Sequence, residues 1–485
     1  MPILGTIIEE NITTYFQDKP SCSFGAQEYS KAQPHISLIR NQRTFLALEL
    51  QDQIQGVTVM TRKPQIRKRI AGLSRLTVYY YINQDELIVK IKKSVLSETA
   101  AVDPGEILHH LIKQAEKNCH QGDLWQNYLL DLIISAENPF SLACERMILS
   151  PQSSLYQAAL QDIKILKKLL DLTTREILSA GQEKKSFSQF RFLKNNYQPV
   201  PAFTSAPESD HFQREIPDLQ TEPRQGIEQL NKYYNQQGAG QLNKYQAFFW
   251  NGPHALRPVK NLDPVNFTDL LGYEKQQQQL IANTRAFIEN GTAHNVLLYG
   301  ESGTGKSSSV KAVLNKFSSR GLRLLEINSS QIKELPDILE YLNQRGLKFL
   351  IFMDDLSFEE FETEYKHLKN IMEGGIEARP ENVLFYATSN RRHLVQEKWQ
   401  SRESEVHERE MMNERLSLAE RFGLTILFNT PDQQEYLEIV RGLAEQEGID
   451  LPAAVLEEKA LKYQMRSSGQ SGRTARQFIE SLQQS

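Results

Sequence analysis

At 485 residues with a formal net charge of −4, the chain is long enough for two or three domains and has no cationic excess for general polyanion binding. Its three cysteines, Cys22, Cys119 and Cys144, have no metal-ligand spacing and make no even disulfide set, which points to a reducing compartment. No apolar run reaches the roughly 18 residues of a membrane span, and the Met1–Gly5 start lacks a signal peptide's basic start and apolar core, so a cytoplasmic protein is expected.

Residues 1–195 read as a mostly helical region. Leu76–Ile82 and Glu86–Ile91 suggest a hairpin across Asn83-Gln84-Asp85. Asp103-Pro104-Gly105-Glu106 is a helix start, with a capping aspartate and proline at the first helical position. That helix carries Ile107, Leu108, Leu111 and Ile112 on one face. A second helix is expected over about 123–135, breaking at Asn138-Pro139, and a third carries Leu155, Ile163, Leu166, Leu169, Leu170, Ile177 and Leu178 to an end near Gly181. Two basic stretches stand out: Arg62 to Arg75, and the run Lys184, Lys185, Phe187, Phe190, Arg191, Phe192, Lys194. Interleaved rings and cations suit single-stranded nucleic acid, but a solvated helix face over core phenylalanines is the preferred reading. His109, His110 and His120 beside Cys119 are read as surface residues, because adjacent histidines on a helix face different ways.

Residues 196–262 read as a linker rich in proline, glutamine and serine. Gln229-Leu-Asn-Lys-Tyr233 recurs as Gln241-Leu-Asn-Lys-Tyr245, and the second copy leads into Phe248-Phe249-Trp250, which predicts that this end is docked.

From about residue 263 the pattern changes. Val296–Tyr299 reads as a buried strand and runs into Gly300-Glu301-Ser302-Gly303-Thr304-Gly305-Lys306-Ser307-Ser308, which holds the complete P-loop spacing. Glycines let successive N–H groups point at one anion, Lys306 reaches the β/γ-phosphates, and the Ser307 hydroxyl can hold Mg²⁺. A helix carrying Val310, Val313, Leu314 and Phe317 follows. Further strands are expected at Leu322–Ile327, Phe349–Met353, Val383–Ala387 and Leu424–Phe428, separated by helical stretches, which makes a parallel sheet. A strand lies between the P-loop strand and the acidic strand, and no Asn-Lys-x-Asp guanine-reading motif occurs. Asp354 would hold Mg²⁺ opposite Ser307, and Asp355 would orient or deprotonate the attacking water. Asn390 can hydrogen-bond that water or the γ-phosphate.

The ordered set Gly300–Ser307, Asp354-Asp355, Asn390, Arg421-Phe422-Gly423 and Gly472-Arg473-Thr-Ala-Arg476 resembles the AAA+ ATPases. Longer strings, among them Leu271-Gly-Tyr-Glu274, Asp354-Asp-Leu-Ser-Phe358, Tyr386-Ala-Thr-Ser-Asn-Arg-Arg-His-Leu394 and Leu416-Ser-Leu-Ala-Glu-Arg-Phe-Gly423, resemble the bacterial domain-of-unknown-function family 815, over about residue 240 to the end. The resemblance implies an AAA+ fold: a five-stranded parallel P-loop sheet over 263–430 and a small helical lid over 431–485. It implies Gly272 and Tyr273 at the adenine, Asn390 as sensor one, and Arg421 as an arginine finger reaching a neighbouring subunit's γ-phosphate. Arg476 is implied as the sensor-two arginine, with Arg473 the second choice. Lid helices are visible at about 432–447, 452–465 and 473–482. Many members carry glutamate where Asp355 stands, so slow turnover is expected; Arg391 and Arg392 are a second candidate for a trans-acting charge, or close an acidic cluster at Glu359, Glu360 and Glu362.

The expected function is therefore Mg-ATP hydrolysis coupled to remodelling or loading a protein or nucleic-acid partner, by a homo-oligomer assembled through Arg421. The competing expectation is an ATP-dependent adaptor or helicase-loader-like module with little hydrolysis. A small-molecule kinase is disfavoured, because no basic set over the phosphates is visible. Residues 1–195 are expected to choose the partner and to be dispensable for ATP binding.

Overall fold

In the computed structural model, capping chemistry sets where the helices begin. The description covers residues 63–97, 103–180, 197–200, 216–252, 255–356, 368–369, 371–372, 379–390, 421–467 and 469–484. Two units divide the chain, Met1–Ile66 and Arg67–Ser485, and the elements below belong to the second. Helix α1 (Glu86–Leu96) starts after Asp85, whose carboxylate accepts from Ile88 N at 3.0 Å. Helix α2 (Pro104–Asn118) starts after Asp103, with proline in its first turn, as the sequence predicts. Helix α3 (Leu124–Ile134) is capped by Asp123, and α4 (Pro139–Arg146) by a reciprocal Asn138–Ser141 box. The break expected at Asn138-Pro139 is thus also a helix start. The third expected helix is two, α5 (Ser154–Leu170) and α6 (Thr174–Ala180), parted by a turn at Asp171–Thr173.

The expected hairpin is absent. Gly72–Arg75 and Tyr80–Gln84 are 3-10 turns, and the second supposed strand is α1. The buried carboxylate of Asp162, on α5, accepts from the N–H groups of Thr77, Val78 and Tyr79 at 2.7–3.1 Å. Those donors would otherwise need a partner strand.

The stretch read as a linker also holds regular structure. Helix α7 (Pro223–Gln237) buries Ile227, Leu230, Tyr233 and Tyr234, and the Tyr234 hydroxyl donates to Ile133 O at 2.6 Å. The aromatic run is strand β1 (Ala247–Trp250), followed by β2 (Leu256–Pro258).

Helix α8 (Glu274–Ile288) precedes β3 (Val296–Gly300), and α9 (Lys306–Phe317) follows it. Then come β4 (Leu322–Glu326), α10 (Leu335–Asn343), β5 (Lys348–Met353), β6 (Val383–Ser389) and β7 (Leu424–Phe428). The five expected strands are parallel, in the spatial order β4-β5-β6-β3-β7. Strand β1 adds to β4 in parallel and β2 adds antiparallel, so the sheet has seven strands rather than five. One face packs Leu325, Ile351 and Phe385 with α10, and the other packs Leu298, Leu350 and Tyr386 with α8 and α9. The strands are apolar on both faces, as a sheet covered on both sides requires. Helices α11 (Gln433–Gln446), α12 (Ala453–Gln464) and α13 (Gly472–Gln483) form the lid around Tyr436, Val440, Leu456 and Phe478.

The helical region and the sheet meet through a buried ion cluster. Arg345, between α10 and β5, donates to Glu145 Oε1 and Oε2 at 2.9 and 2.7 Å and to Glu137 Oε1 at 2.6 Å. Glu145 is 1% exposed and also accepts from the backbone N–H groups of Gly346 and Ala239.

Candidate functional site

Glycine is required where β3 meets the loop. Gly300 has φ +144°, and a Cβ there would lie 2.0 Å from Phe428 O on β7. Gly303 and Gly305 have φ +82° and +88°, which left-handed backbone permits to glycine at little cost. The loop therefore curls onto the N-terminus of α9, where N–H groups and the helix dipole favour an anion. Lys306 opens that helix, is 5% exposed, and donates to Gly300 O at 2.9 Å and Glu301 O at 2.7 Å. Burial lowers its ammonium pKa below the usual lysine value, against the pull of Asp355 and Asp354. Thr304 Oγ1 donates to Glu301 O at 2.9 Å and closes the turn, Ser302 is exposed and Ser308 half-buried, and the Glu301 carboxylate accepts from the Thr430 hydroxyl beyond β7.

The sheet order assembles the opposite wall. Because β6 lies between β3 and β5, its C-terminal end stands between the P-loop and the acids. Ser307 Oγ donates to Asp354 Oδ1 at 2.6 Å, and Thr388 Oγ1 donates to the same oxygen at 2.5 Å. Asp355 N donates to Thr388 Oγ1 at 2.8 Å, and Asn390 Nδ2 donates to Asp355 Oδ1 at 2.7 Å. Ser307, Asp354, Thr388, Asp355 and Asn390 thus form one hydrogen-bonded chain. Thr388 was missed in the sequence; the signal was its place two residues before Asn390, on the same side of an extended strand. Asp355 holds φ +52°. Asp and Asn tolerate this region better than other side-chain-bearing residues.

The oxygens of Ser307 and Asp354 converge as hard ligands, and Mg²⁺ is commonly held by one or two carboxylates completed by substrate phosphates and water. Among the described residues no group of three or more His, Cys, Asp or Glu side chains could hold a metal.

The lid touches the P-loop. Arg473 N donates to Gly303 O at 3.3 Å, and a Cβ on Gly303 would meet Ser471 Oγ at 3.0 Å. Arg473 also bears on the Lys306 charge, whereas Arg476 donates to Asp269 O at 3.1 Å, three residues before Gly272. Gly272 has φ +88° and packs under Ile439 of α11. Tyr273 is buried, lies 5.2 Å from the Phe428 ring and donates to Asn429 O at 2.9 Å, so its ring and hydroxyl are held against the end of β7. Burial raises its phenol pKa well above the usual range.

Arg421 is exposed and precedes β7. The register pairs Val296 with Leu424 and Gly300 with Phe428, so Arg421 lies beyond the end of β7 remote from the P-loop. Arg391, Arg392, Glu359, Glu360, Glu362, the Leu416 run and the second basic–aromatic stretch lie outside the described residues.

Sheet order, P-loop and lid define an AAA+ type P-loop α/β protein. The chain belongs to the family described as "Protein of unknown function (DUF815)", whose pattern matches residues 243–485. No curated protein matches it. Among solved structures it is similar to a point mutant of RuvB from Thermotoga maritima, at 17% identity and TM-score 0.33, covering 46% of this chain and 66%, just under two thirds, of that one. It is also similar to the Thermotoga maritima RuvB Holliday junction branch migration motor, at 15% identity and TM-score 0.29, covering 46% of this chain and 73% of that one. No described helix is long and apolar enough to cross a membrane.

Proposed function

We propose that this protein binds Mg-ATP, hydrolyses it, and uses the cycle to remodel or load a protein or nucleic-acid partner. The observation that carries the reading is the unbroken chain from Ser307 through Asp354, Thr388 and Asp355 to Asn390, set against a P-loop. The P-loop N–H groups and Lys306 would bind the phosphates. Ser307 and Asp354 would hold Mg²⁺, which when bound neutralises phosphate charge. Asp355 would orient the attacking water and accept its proton, with Asn390 fixing the carboxylate by its present hydrogen bond. Gly272 and Tyr273 would flank the adenine beneath the lid. Arg473 has the better claim to the sensing role than Arg476, because its backbone already meets Gly303. Arg421 would serve a neighbouring copy's ATP, which requires a homo-oligomer, and residues 1–195 would engage the partner. A second reading, a nucleotide-gated adaptor with little hydrolysis, is favoured by the short reach of Asp355.

Lys306→Ala is expected to abolish ATP binding while the fold persists. Calorimetric titration of ATP into both chains tests this; equal affinity would overturn the proposal.

A further inference from the structure

The N-terminal ends of the strands, opposite the P-loop, carry several arginines. Two serve the chain internally. Arg323 of β4 is fully buried and donates to the carbonyls of Leu242, Ser318, Leu322 and Gln237. Arg345, before β5, is held by Glu145 and Glu137. Arg379, before β6, is different. It is half-buried, its Nη1 donates to Asn295 Oδ1 at 2.5 Å, and among the described residues no carboxylate pairs with it. Burial lowers its pKa below the usual arginine value. A desolvated cation with a neutral partner is costly unless an anion arrives from elsewhere.

Asn295 is fixed by its neighbours: its Oδ1 also accepts from Phe385 N at 3.1 Å, and its backbone carbonyl accepts from Leu424 N at 3.1 Å. One residue therefore ties Arg379 to the start of β7, three residues after Arg421. Strands β6 and β7 flank β3, two strand spacings or about 9.5 Å apart, and Arg379 and Arg421 precede them by four and three residues. Both lie on the edge that the chain's own P-loop does not reach.

We propose that Arg379 is a second trans-acting arginine, which with Arg421 meets the terminal phosphates of ATP held by the next copy of this chain. The inference rests on the reading of Arg421 as a finger. The guanidinium fork suits phosphate oxygens, and Asn295 pre-sets its orientation.

The test uses the full chain with Arg379→Gln, whose amide keeps a donor for Asn295 but deletes the charge. Its ATP affinity is expected to match wild type, because its own P-loop is intact. Turnover is expected to fall on the order of 10²–10³-fold, as when one transition-state donor is removed. Mixing it with Lys306→Ala chains, which keep Arg379, is expected to recover turnover that neither shows alone. An Arg421→Ala plus Lys306→Ala mixture runs beside it. Recovery only in the Arg421 mixture overturns the role of Arg379 and spares the finger. Recovery in neither mixture removes the finger reading and this inference together, while ATP binding by wild type separately tests the proposed function. Unchanged turnover in Arg379→Gln, or turnover lost together with its own ATP affinity, also overturns the inference. So does unchanged turnover with weakened retention of single-stranded DNA, which would assign this edge to nucleic acid. Should Gln destabilise the chain, Arg379→Met, which keeps the aliphatic stem and deletes the charge, is read the same way: a loss that mixing rescues supports the inference, and full turnover overturns it.

Discussion

Thr388 joins the two acids of the site. Its hydroxyl donates to Asp354 and accepts from Asp355 N, inside a residue only 2% exposed. Thr388→Val keeps the shape and removes both bonds, at about 0.5–1.5 kcal/mol for a hydrogen bond. It is expected to lower the thermal midpoint and slow phosphate release while ATP affinity is largely kept. A variant with wild-type stability and turnover would show that Thr388 does not organise the acids. Glu326, at the end of β4, is half-buried; burial raises its pKa, and Asp354 raises it further. A carboxyl whose folded pKa is raised contributes stability at low pH that is lost as pH rises through that value. Glu326→Gln is therefore expected to be more stable than wild type at neutral pH, the advantage vanishing below the ordinary glutamate value of about 4.3. Unfolding midpoints across that window check the sign; a pH-independent difference contradicts it.

The elements that were legible in the sequence are those whose cause is local. The P-loop was readable because glycine spacing and the strand before it sit within a dozen residues, and α2 because its capping aspartate and proline adjoin it. The stretch from Leu76 to Ile82 misled because its β-branched and aromatic residues suit a strand, while the carboxylate that satisfies its N–H groups comes from Asp162, more than 80 positions away. Helix α7 was hidden by its glutamine- and asparagine-rich outer face, although Ile227, Leu230, Tyr233 and Tyr234 keep a helical period. The dependence of the P-loop sheet on the helical region was also illegible, because Arg345 and Glu145 are 200 positions apart. It bears on the expectation that residues 1–195 are dispensable: a chain cut at residue 195 loses Glu145, the buried carboxylate that holds Arg345. Glu145→Ala in the full chain is expected to destabilise by about 3–5 kcal/mol, as breaking a buried ion pair does. Denaturant unfolding measures this, and a loss under about 1 kcal/mol, typical of exposed pairs, would contradict the buried latch.

In the whole molecule, two opposite ends of one sheet carry the two halves of the proposed chemistry. The C-terminal edge holds the P-loop, the acids and Asn390, and the N-terminal edge holds Arg379 and Arg421. A chain so divided cannot bring both halves to one nucleotide, and a head-to-tail series of copies can. The lid bridges the first edge, with α13 resting on Gly303. In the proposed cycle Asp355 would set the pace, because aspartate suits its left-handed backbone yet reaches less far than glutamate. The measurement that tests the account most directly is steady-state phosphate release from ATP by the full chain, with Mg²⁺ and with chelator, beside Lys306→Ala and Asp355→Asn. Slow release that requires Mg²⁺, is lost in both variants, and leaves ATP still bound to Asp355→Asn is the predicted result. Release that persists in Asp355→Asn at the wild-type rate, or none from wild type under any of these conditions, would contradict it.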